Sequence, residues 1–316
     1  MRIAIAASVT AEKQGMSRLS RRKLLAVLVF LVFSALVAWL AASALVAWSM
    51  TRRYHERSPE PPPQVASGST ESVRLQTSDG EEIGGWFVRG DRRKGCVLLL
   101  HGIGASRREM LPVMQWLAEA GYSVLAVSFR AHGDSTGNVI DIGWSARHDV
   151  VAAVKFLRRQ CPGRPVYVVG RSMGAAAAIF AAKELQGDVA GYFFEQPYKD
   201  LKSAVWSRLH HHVPPGLDLV AYLGLRLWAP VFLPESPDEI SPYEHIRAIP
   251  ENVPIVFITG SADRHALLED VKILYNRVQS HARLVVFPGA VHEALDRNNP
   301  QLYRSSLFQL LGERQP

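Results

Sequence analysis

The sequence predicts an α/β fold with a mostly parallel central sheet that is covered by helices on both faces. The first indication is the alternation, over most of the chain, of short β-branched runs with longer amphipathic segments. The second is that a run such as residues 96–100 is apolar throughout, as expected of a strand buried on both faces. The third is a glycine-flanked turn, residues 170–174, between one such run and an alanine-rich segment.

The charge of the chain is concentrated at its N-terminal end. The 316 residues carry a formal net charge of +7, which by itself is compatible with binding to nucleic acid. However, residues 1–57 contain the whole excess, and the remaining residues are formally neutral. We therefore expect no nucleic-acid partner, and we interpret the basic residues as a signal of membrane topology.

An apolar run follows the basic residues. Residues 24–48 contain only Ser34 and Ser43 as polar interruptions, and at about 1.5 Å per residue they exceed a bilayer core of about 30 Å. We predict a transmembrane helix at 24–50. A cleaved signal peptide is the alternative, because Ala42-Ser43-Ala44 resembles a cleavage site, but such signals have shorter apolar regions of about 7–15 residues.

The flanks of this helix predict its orientation. More basic residues precede it than follow it, so we expect residues 1–23 to be cytoplasmic and the main domain to be extracytoplasmic. Residues 51–72 are rich in proline and polar residues. They predict a semi-rigid linker that lifts the domain off the membrane.

The domain is expected to span residues 73–316. Its first elements are a hairpin around Ser78-Asp79-Gly80, the strand at 96–100, a helix that ends before Gly121 and a second buried strand. The later elements follow the same alternation, and their expected ranges are 145–159 (helix), 166–169 (strand), a helix from about 173, 189–194 (strand), 255–259 (strand), 267–278 (helix), 283–287 (strand) and a final helix from 301.

The turn Gly170-Arg171-Ser172-Met173-Gly174 is the strongest functional signal. A strand, a sharp turn and a helix are the context that a nucleophile elbow requires. The glycines allow the strand and helix to approach closely, and the helix N-terminus stabilises negative charge near Ser172. A glycine- and serine-rich turn without catalytic function remains the alternative for this pentapeptide alone.

Four motifs together resemble the α/β-hydrolase family. They are His101-Gly102, the elbow around Ser172, Gly260-Ser261-Ala262-Asp263 after a strand, and Val291-His292 after the last strand. The resemblance covers residues 73–311 and is strongest to small membrane-associated serine hydrolases related to prolyl-oligopeptidase-like and acyl-thioesterase-like groups.

The resemblance implies a site residue for each catalytic role. Ser172, Asp263 and His292 occur in the family's order of nucleophile, acid and base. Glu195 is a rival acid, because it also follows a strand directly. The backbone amides of Met173 and Ile103 are expected to form the oxyanion hole.

The remaining polar motifs are expected to be structural. We interpret His101 as a residue that shapes its loop, and His132 and Asp134 as parts of a turn. Consecutive His210, His211 and His212 do not converge easily on one ion. We therefore expect neither a metal nor another cofactor.

The resemblance also implies a helical cap, at about residues 196–240, inserted after the sixth strand. Its aromatic and aliphatic composition favours acyl substrates, although a helix packed plainly on the core has the same composition. In the family the strands that follow Cys96 and Cys161 are neighbours. A disulfide is therefore one possibility, and two separate thiols are the other.

These observations predict a membrane-anchored serine hydrolase that cleaves a carboxylic ester or thioester through an acyl-enzyme on Ser172. Its substrate would be a small molecule or a lipid-like acyl compound. A prolyl-oligopeptidase-like peptidase and a non-catalytic binding module at the membrane are the alternatives. The sequence leaves the physiological substrate and the oligomeric state open.

Overall fold

The computed structural model describes residues 2–65, 68–91 and 93–313. The strands are β1 (Thr70–Gln76), β2 (Glu82–Val88), β3 (Cys96–Leu100), β4 (Ser123–Val127), β5 (Val166–Arg171), β6 (Gly191–Glu195), β7 (Ile255–Gly260) and β8 (Ala282–Phe287). The helices are α1 (Arg2–Met50), α2 (Leu111–Glu119), α3 (Arg147–Gln160), α4 (Met173–Ala181), α5 (Leu201–His212), α6 (Leu217–Phe232), α7 (Pro242–His245), α8 (Leu268–Arg277), α9 (Leu295–Asn298) and α10 (Pro300–Leu310).

The strands form one sheet in the order β1-β2-β4-β3-β5-β6-β7-β8. The first two strands pair antiparallel, β2 pairs antiparallel with β4, and all other pairings are parallel. This arrangement confirms the predicted α/β-hydrolase fold. Its consequence is that β5, β6, β7 and β8 end at the same edge, where their following loops can meet.

Helices cover both faces of the sheet, as the sequence predicts. In β3 the alternate residues Leu98 and Leu100 join the core on the side of α3, α4 and α8, whereas Val97 and Leu99 join the core on the side of α2 and α10. All four side chains are fully buried. Two-sided burial explains why this strand is apolar throughout instead of alternating in polarity.

The helix that the sequence predicts before Gly121 is shorter than the run of helical periodicity that predicts it. Residues Arg107–Met110 form a 3-10 turn, and the α-helix starts at Leu111. Pro112 has no amide hydrogen to donate to the carbonyl of Arg108, so the hydrogen-bond pattern of an α-helix is interrupted at this point. A proline in the first turn of a helix costs no intrahelical hydrogen bond, which is why α2 begins here.

The segment 51–65 packs on the domain. Arg52 pairs with Val139, and the guanidinium of Arg53 donates to the carbonyl oxygens of Ser135 (2.6 Å) and Gly137 (2.9 Å). This segment therefore differs from the spacer that its proline content predicts. It belongs to the surface of the domain, and it fixes the end of α1 against the domain.

Glu60 is the residue through which this segment reaches furthest into the interior of the domain. Its carboxylate is almost fully buried and lies 3.0 Å from the guanidinium of Arg107, which is also buried. Asp134 accepts from the same guanidinium at 2.6 Å. A buried arginine requires such partners, because an unpaired charge in the interior is costly.

The segment expected to form the cap contains α5 and α6. Asp200 caps the first turn of α5 by accepting from the amide of Ser203 at 2.6 Å. The following helix, α6, packs along α1 and leaves most of its apolar side chains exposed. In α1 the part Arg21–Met50 is long and apolar enough to cross a membrane.

Cys96 and Cys161 form a disulfide, with their Cα atoms 6.6 Å apart. Cys96 begins β3 and lies opposite Val166 of β5, while Cys161 follows the last residue of α3. The bridge therefore ties α3 to the sheet at the end opposite the carboxyl-end edge. Of the two possibilities that the sequence left open, the structure contains the bridged form.

Candidate active site

The turn between β5 and α4 has room only for glycine at its two flanking positions. A Cβ on Gly170 would lie 2.7 Å from the backbone of Gly174, and a Cβ on Gly174 would lie 2.6 Å from the carbonyl oxygen of Leu100. Both distances are shorter than van der Waals contact. The Gly-x-Ser-x-Gly pattern is thus a requirement of the packing of β5, α4 and β3.

Ser172 occupies the apex of this turn in a strained conformation. Its φ is +49° and its ψ is −110°, values that residues other than glycine rarely adopt. Such strain is held in place by the surrounding structure and is typical of functional positions. It directs the hydroxyl of Ser172 toward the loop that follows β8.

The three residues predicted as a triad form one hydrogen-bonded chain. Ser172 Oγ lies 3.1 Å from His292 Nε2, and His292 Nδ1 lies 2.8 Å from Asp263 Oδ2. The Asp263 carboxylate is fully buried, and the imidazole is about one-fifth exposed. Because Nδ1 donates to the carboxylate, Nε2 is left to accept from the serine hydroxyl.

The loop after β7 holds Asp263 rigidly. Its second carboxylate oxygen accepts from the amides of His265 (2.8 Å) and Ala266 (2.9 Å). A Cβ on Gly260 would lie 2.2 Å from the carbonyl oxygen of Ala290. The glycine therefore lets the loops that carry Asp263 and His292 approach each other.

The rival acid, Glu195, is engaged elsewhere. Its carboxylate accepts from the amide of Leu295 at 2.8 Å and lies 3.0 Å from the guanidinium of Arg171. It also accepts from the hydroxyl of Tyr303 at 3.2 Å. Burial raises the pKa of Glu195, and the Arg171 charge opposes that rise. Glu195 therefore anchors the C-terminal segment to the elbow and does not support the cap.

The two residues predicted to form the oxyanion hole, Met173 and Ile103, lie close to Ser172. Ile103 lines the cleft together with Ser172, and Met173 is the first residue of α4. Among the residues that the structure describes, neither amide donates to a protein acceptor. Two such donors can stabilise an oxyanion.

His101 and His132 fix the loop that carries Ile103. Each ring accepts a backbone amide at Nε2, from Phe129 at 3.0 Å and from Gly104 at 3.2 Å. Each Nδ1 therefore carries the hydrogen and donates to a carbonyl oxygen. Burial is the main cause that lowers the pKa of His101 to about 4 and of His132 to about 3. Both rings are neutral and structural, and Asp134 is likewise held in ion pairs.

The cleft above Ser172 has a volume of about 250 Å³. Its lining also includes residues that the sequence did not identify, namely Glu109, Gln196, Arg208, His265, Glu293 and Ala294. The Gln196 side chain donates to the carbonyl oxygen of Val291 at 2.7 Å and so fixes the residue before His292. The only local signal for Gln196 was its position directly after β6.

Arg208 and His265 supply charge and polarity to the cleft. The Arg208 guanidinium donates to the carbonyl oxygen of Ala204 within α5; burial lowers its pKa. Burial, aided by the nearby Arg208 charge, lowers the pKa of His265 to about 4, so this ring is neutral near pH 7. The His265 ring centre lies 5.3 Å from that of His292.

The three consecutive histidines lie at the end of α5. His210 Nδ1 lies 2.9 Å from Asp218 Oδ2, while His211 and His212 lie near His265. In residues 2–65, 68–91 and 93–313, no group of three or more histidine, cysteine or acidic side chains is arranged to hold a metal ion.

Comparison with known proteins gives the family. The model of the family described as serine aminopeptidase, S33, matches residues 91–248, which is half of the chain. The uncharacterized protein YfhR of Escherichia coli O157:H7 is 23% identical over 251 residues, covering 77% of this chain and 81% of that protein. Human monoglyceride lipase is 25% identical over 252 residues, covering 69% and 81%.

Solved structures have the same fold. The Pyrococcus furiosus esterase Pf2001 superimposes with a TM-score of 0.64 and 25% sequence identity, over 81% of this chain and 98% of that one. The chain therefore belongs to the serine aminopeptidase S33 family, and it is an esterase- and lipase-like hydrolase with the α/β-hydrolase fold.

Proposed function

We propose that the protein is a membrane-anchored serine hydrolase that cleaves a lipid-like carboxylic ester or thioester through an acyl-enzyme on Ser172. The observation that carries this proposal is the chain of hydrogen bonds from Ser172 through His292 to Asp263. A neutral serine is a weak nucleophile, and a positioned histidine overcomes this by accepting its proton. Asp263 holds the imidazole in the required tautomer and stabilises the imidazolium.

Acylation proceeds by attack of Ser172 Oγ on the carbonyl carbon while His292 Nε2 takes the hydroxyl proton. The carbonyl oxygen becomes an oxyanion and accepts from the amides of Met173 and Ile103. Collapse of the tetrahedral intermediate breaks the bond to the leaving oxygen or sulfur, which receives the proton from His292. Water then attacks the acyl-enzyme with the same base, and the acid is released with Ser172 restored.

The surroundings of the cleft favour an acyl substrate over a peptide. An apolar cavity of about 240 Å³ adjoins the cleft, and the two share Ile103 and Arg208. The names of two similar proteins, a monoglyceride lipase and an esterase, also agree with ester cleavage.

The proposed membrane attachment is through α1, with the domain outside the cytoplasm. The span Arg21–Met50 has a mean hydropathy of 2.8 in its most apolar window. The larger number of basic residues before it favours a cytoplasmic N-terminus. The disulfide between Cys96 and Cys161 supports the same orientation, because such bonds persist in oxidising compartments.

The nucleophile is tested with a fluorophosphonate probe on the full-length protein in lipid nanodiscs. Wild type is expected to be labelled, and Ser172→Ala is expected to be unlabelled, because the probe reacts only with an activated serine. The control is Ser280→Ala, which removes an exposed serine just before β8, at the end of the sheet opposite Ser172.

Labelling is then compared with hydrolysis of esters and thioesters of matched acyl chains. Persistent labelling of Ser172→Ala, or no labelling of folded wild type, contradicts the proposed nucleophile. Cleavage of peptide amides at rates above those of esters contradicts the proposed substrate class.

A further inference from the structure

The apolar cavity beside the cleft is built jointly by α1 and the two helices that follow β6. Its wall includes Ala47 and Met50 from α1, Leu201 and Val205 from α5, and Leu225 from α6. The cavity shares Ile103 and Arg208 with the cleft, so it lies directly beside the cleft that contains Ser172. The last turns of the apolar helix thus lie beside the reacting centre.

Close packing holds α6 against α1. A Cβ on Gly224 would lie 2.6 Å from the Cβ of Ser43, so the two helices are in direct contact at this point. The indole of Trp228 donates to the carbonyl oxygen of Leu40 at 3.1 Å, and the indole of Trp39 donates to that of Val220 at 3.3 Å. Small residues and interhelical hydrogen bonds are the means by which helices associate within lipid.

The outer face of α6 is apolar and exposed. Its large exposed side chains recur at helical spacing, and they are Leu217, Leu219, Val220, Leu223, Leu227 and Val231. The neighbouring part of α1 also exposes apolar side chains, among them Val46 and Trp48. The exposed surface of α6 is therefore continuous with that of the proposed membrane span, and this continuity identifies lipid as what covers it.

The depth of the contact agrees with this assignment. A span that begins at Leu24 fills a bilayer core of about 30 Å in roughly 20 residues, and therefore ends near Ser43. The contacts of α6 with Trp39, Leu40 and Ser43 thus lie at the level of the outer leaflet. The cavity lined by Ala47 and Met50 lies just above it.

We propose that α1 forms one wall of the acyl-binding site, and that the acyl chain of a membrane-resident single-chain ester enters this site laterally, from the membrane. This inference rests on the proposed function at Ser172. An apolar cavity of about 150 Å³ holds a benzene molecule, so a cavity of 240 Å³ has room for one alkyl chain of moderate length. The anchor is then part of the substrate site.

The direct test uses wild-type, full-length protein in lipid nanodiscs. The probe is an alkyl fluorophosphonate with a terminal diazirine, which is first attached to Ser172 and then activated by light. Mass spectrometry is expected to find the crosslink on α1 near Ala47 and Met50 and on α6 near Leu225. A shorter probe with the same diazirine is expected to crosslink close to Ile103 instead.

Failure of this inference and failure of the proposed function have different results. A probe that does not attach to Ser172 contradicts the proposed function. A probe that attaches to Ser172 but crosslinks neither α1 nor α6 overturns the lateral acyl site and leaves the nucleophile intact.

Two cavity-filling variants give an independent kinetic test. Ala47→Phe fills the cavity from α1 and Leu225→Phe fills it from α6. The ratio of kcat/KM for a lauroyl ester to that for a butyryl ester is expected to fall at least about tenfold in each, as misfit in an apolar pocket commonly does. The matched control is Ala41→Phe on the exposed, opposite face of α1, where the ratio is expected to stay at the wild-type value. An equal fall in the control, or an unchanged ratio in the cavity variants, overturns the inference.

Discussion

Two apolar helices of this protein, α4 and α6, are buried to opposite extents. All nine residues of α4 are buried within the domain. Of the sixteen residues of α6, all of which the structure describes, only Asp218 and Gly224 are buried. The comparison shows that apolar composition alone does not determine where a helix lies. The apolar side chains of α4 pack into the core and so fix the position of Ser172. Those of α6 form an apolar surface outside the core.

The region around α4 is expected to be the more sensitive of the two, because it carries the hydrogen-bonded chain that ends at Asp263. Asp263→Asn should lower kcat by about 10⁴-fold, because an amide stabilises the wrong tautomer of His292. Steady-state hydrolysis of a short-chain ester measures this effect. Glu195→Gln is the control and should cost much less, because Arg171 keeps its ion pair with Asp296. The reverse ranking would make Glu195 the acid.

A matched pair of glycine substitutions compares the two helices directly. Gly174→Ala would place a Cβ against the backbone of β3, which cannot move aside, and should lower the free energy of unfolding by about 3 kcal/mol. Gly224→Ala would place a Cβ 2.6 Å from the Cβ of Ser43 and 3.3 Å from the ring of Trp39, but α6 lies outside the core and can shift away from α1. Alanine also gains about 0.5–1 kcal/mol over glycine within a helix. The net effect of Gly224→Ala should therefore be below about 1 kcal/mol.

Urea unfolding of the two variants, followed by tryptophan fluorescence, measures this difference. Equal destabilisation would mean that the contact between α6 and α1 belongs to the cooperative core of the domain. That result would remove the distinction between the two helices.

The smallest expected effect is a pH dependence of the free energy of unfolding, which arises from the buried His132 within the domain. The pKa of His132 is about 3 in the folded protein, against about 6.5 in the unfolded chain. Between these values the unfolded state binds more protons, so the free energy of unfolding falls as the pH falls. The contribution has a slope of at most about 1.4 kcal/mol per pH unit.

His132→Gln should therefore reduce the slope of unfolding free energy against pH between about 6 and 4. Urea titrations at several pH values give this slope. Replacement of the exposed His211 by glutamine is the control. An identical slope in wild type and His132→Gln would contradict the neutral, buried state of His132.

The parts of the fold that the sequence predicts are those fixed by local pattern. The strands are short, apolar and bounded by turn residues, and the elbow combines a strand, two obligatory glycines and a helix. Ser172, Asp263 and His292 could be identified because each directly follows a strand of a parallel sheet. All such residues meet at one edge, whatever the details of packing.

The parts that the sequence does not predict depend on contacts between distant segments. The residues around Glu60 do not indicate that its carboxylate pairs with the buried Arg107. For this reason the sequence predicts a spacer for the proline-rich segment. Arg208 reaches the cleft only because of the angle at which α5 crosses it. The packing of α6 on α1 could not be predicted either. Both α6 and the apolar part of α1 are apolar on nearly all sides, so they lack the polar face that normally shows how a helix is oriented.

The attachment of residues 51–65 has a kinetic consequence. Arg53 and Glu60 hold the domain directly against the end of α1. In the proposed membrane-anchored arrangement, the mouth of the cleft therefore stays at a fixed height above the membrane plane. For an enzyme held in this way, the concentration of a lipid substrate is its mole fraction in the surrounding bilayer. Dilution of the aqueous phase leaves the rate unchanged, whereas addition of an inert lipid lowers it. An enzyme anchored as proposed therefore meets its substrate by diffusion in two dimensions.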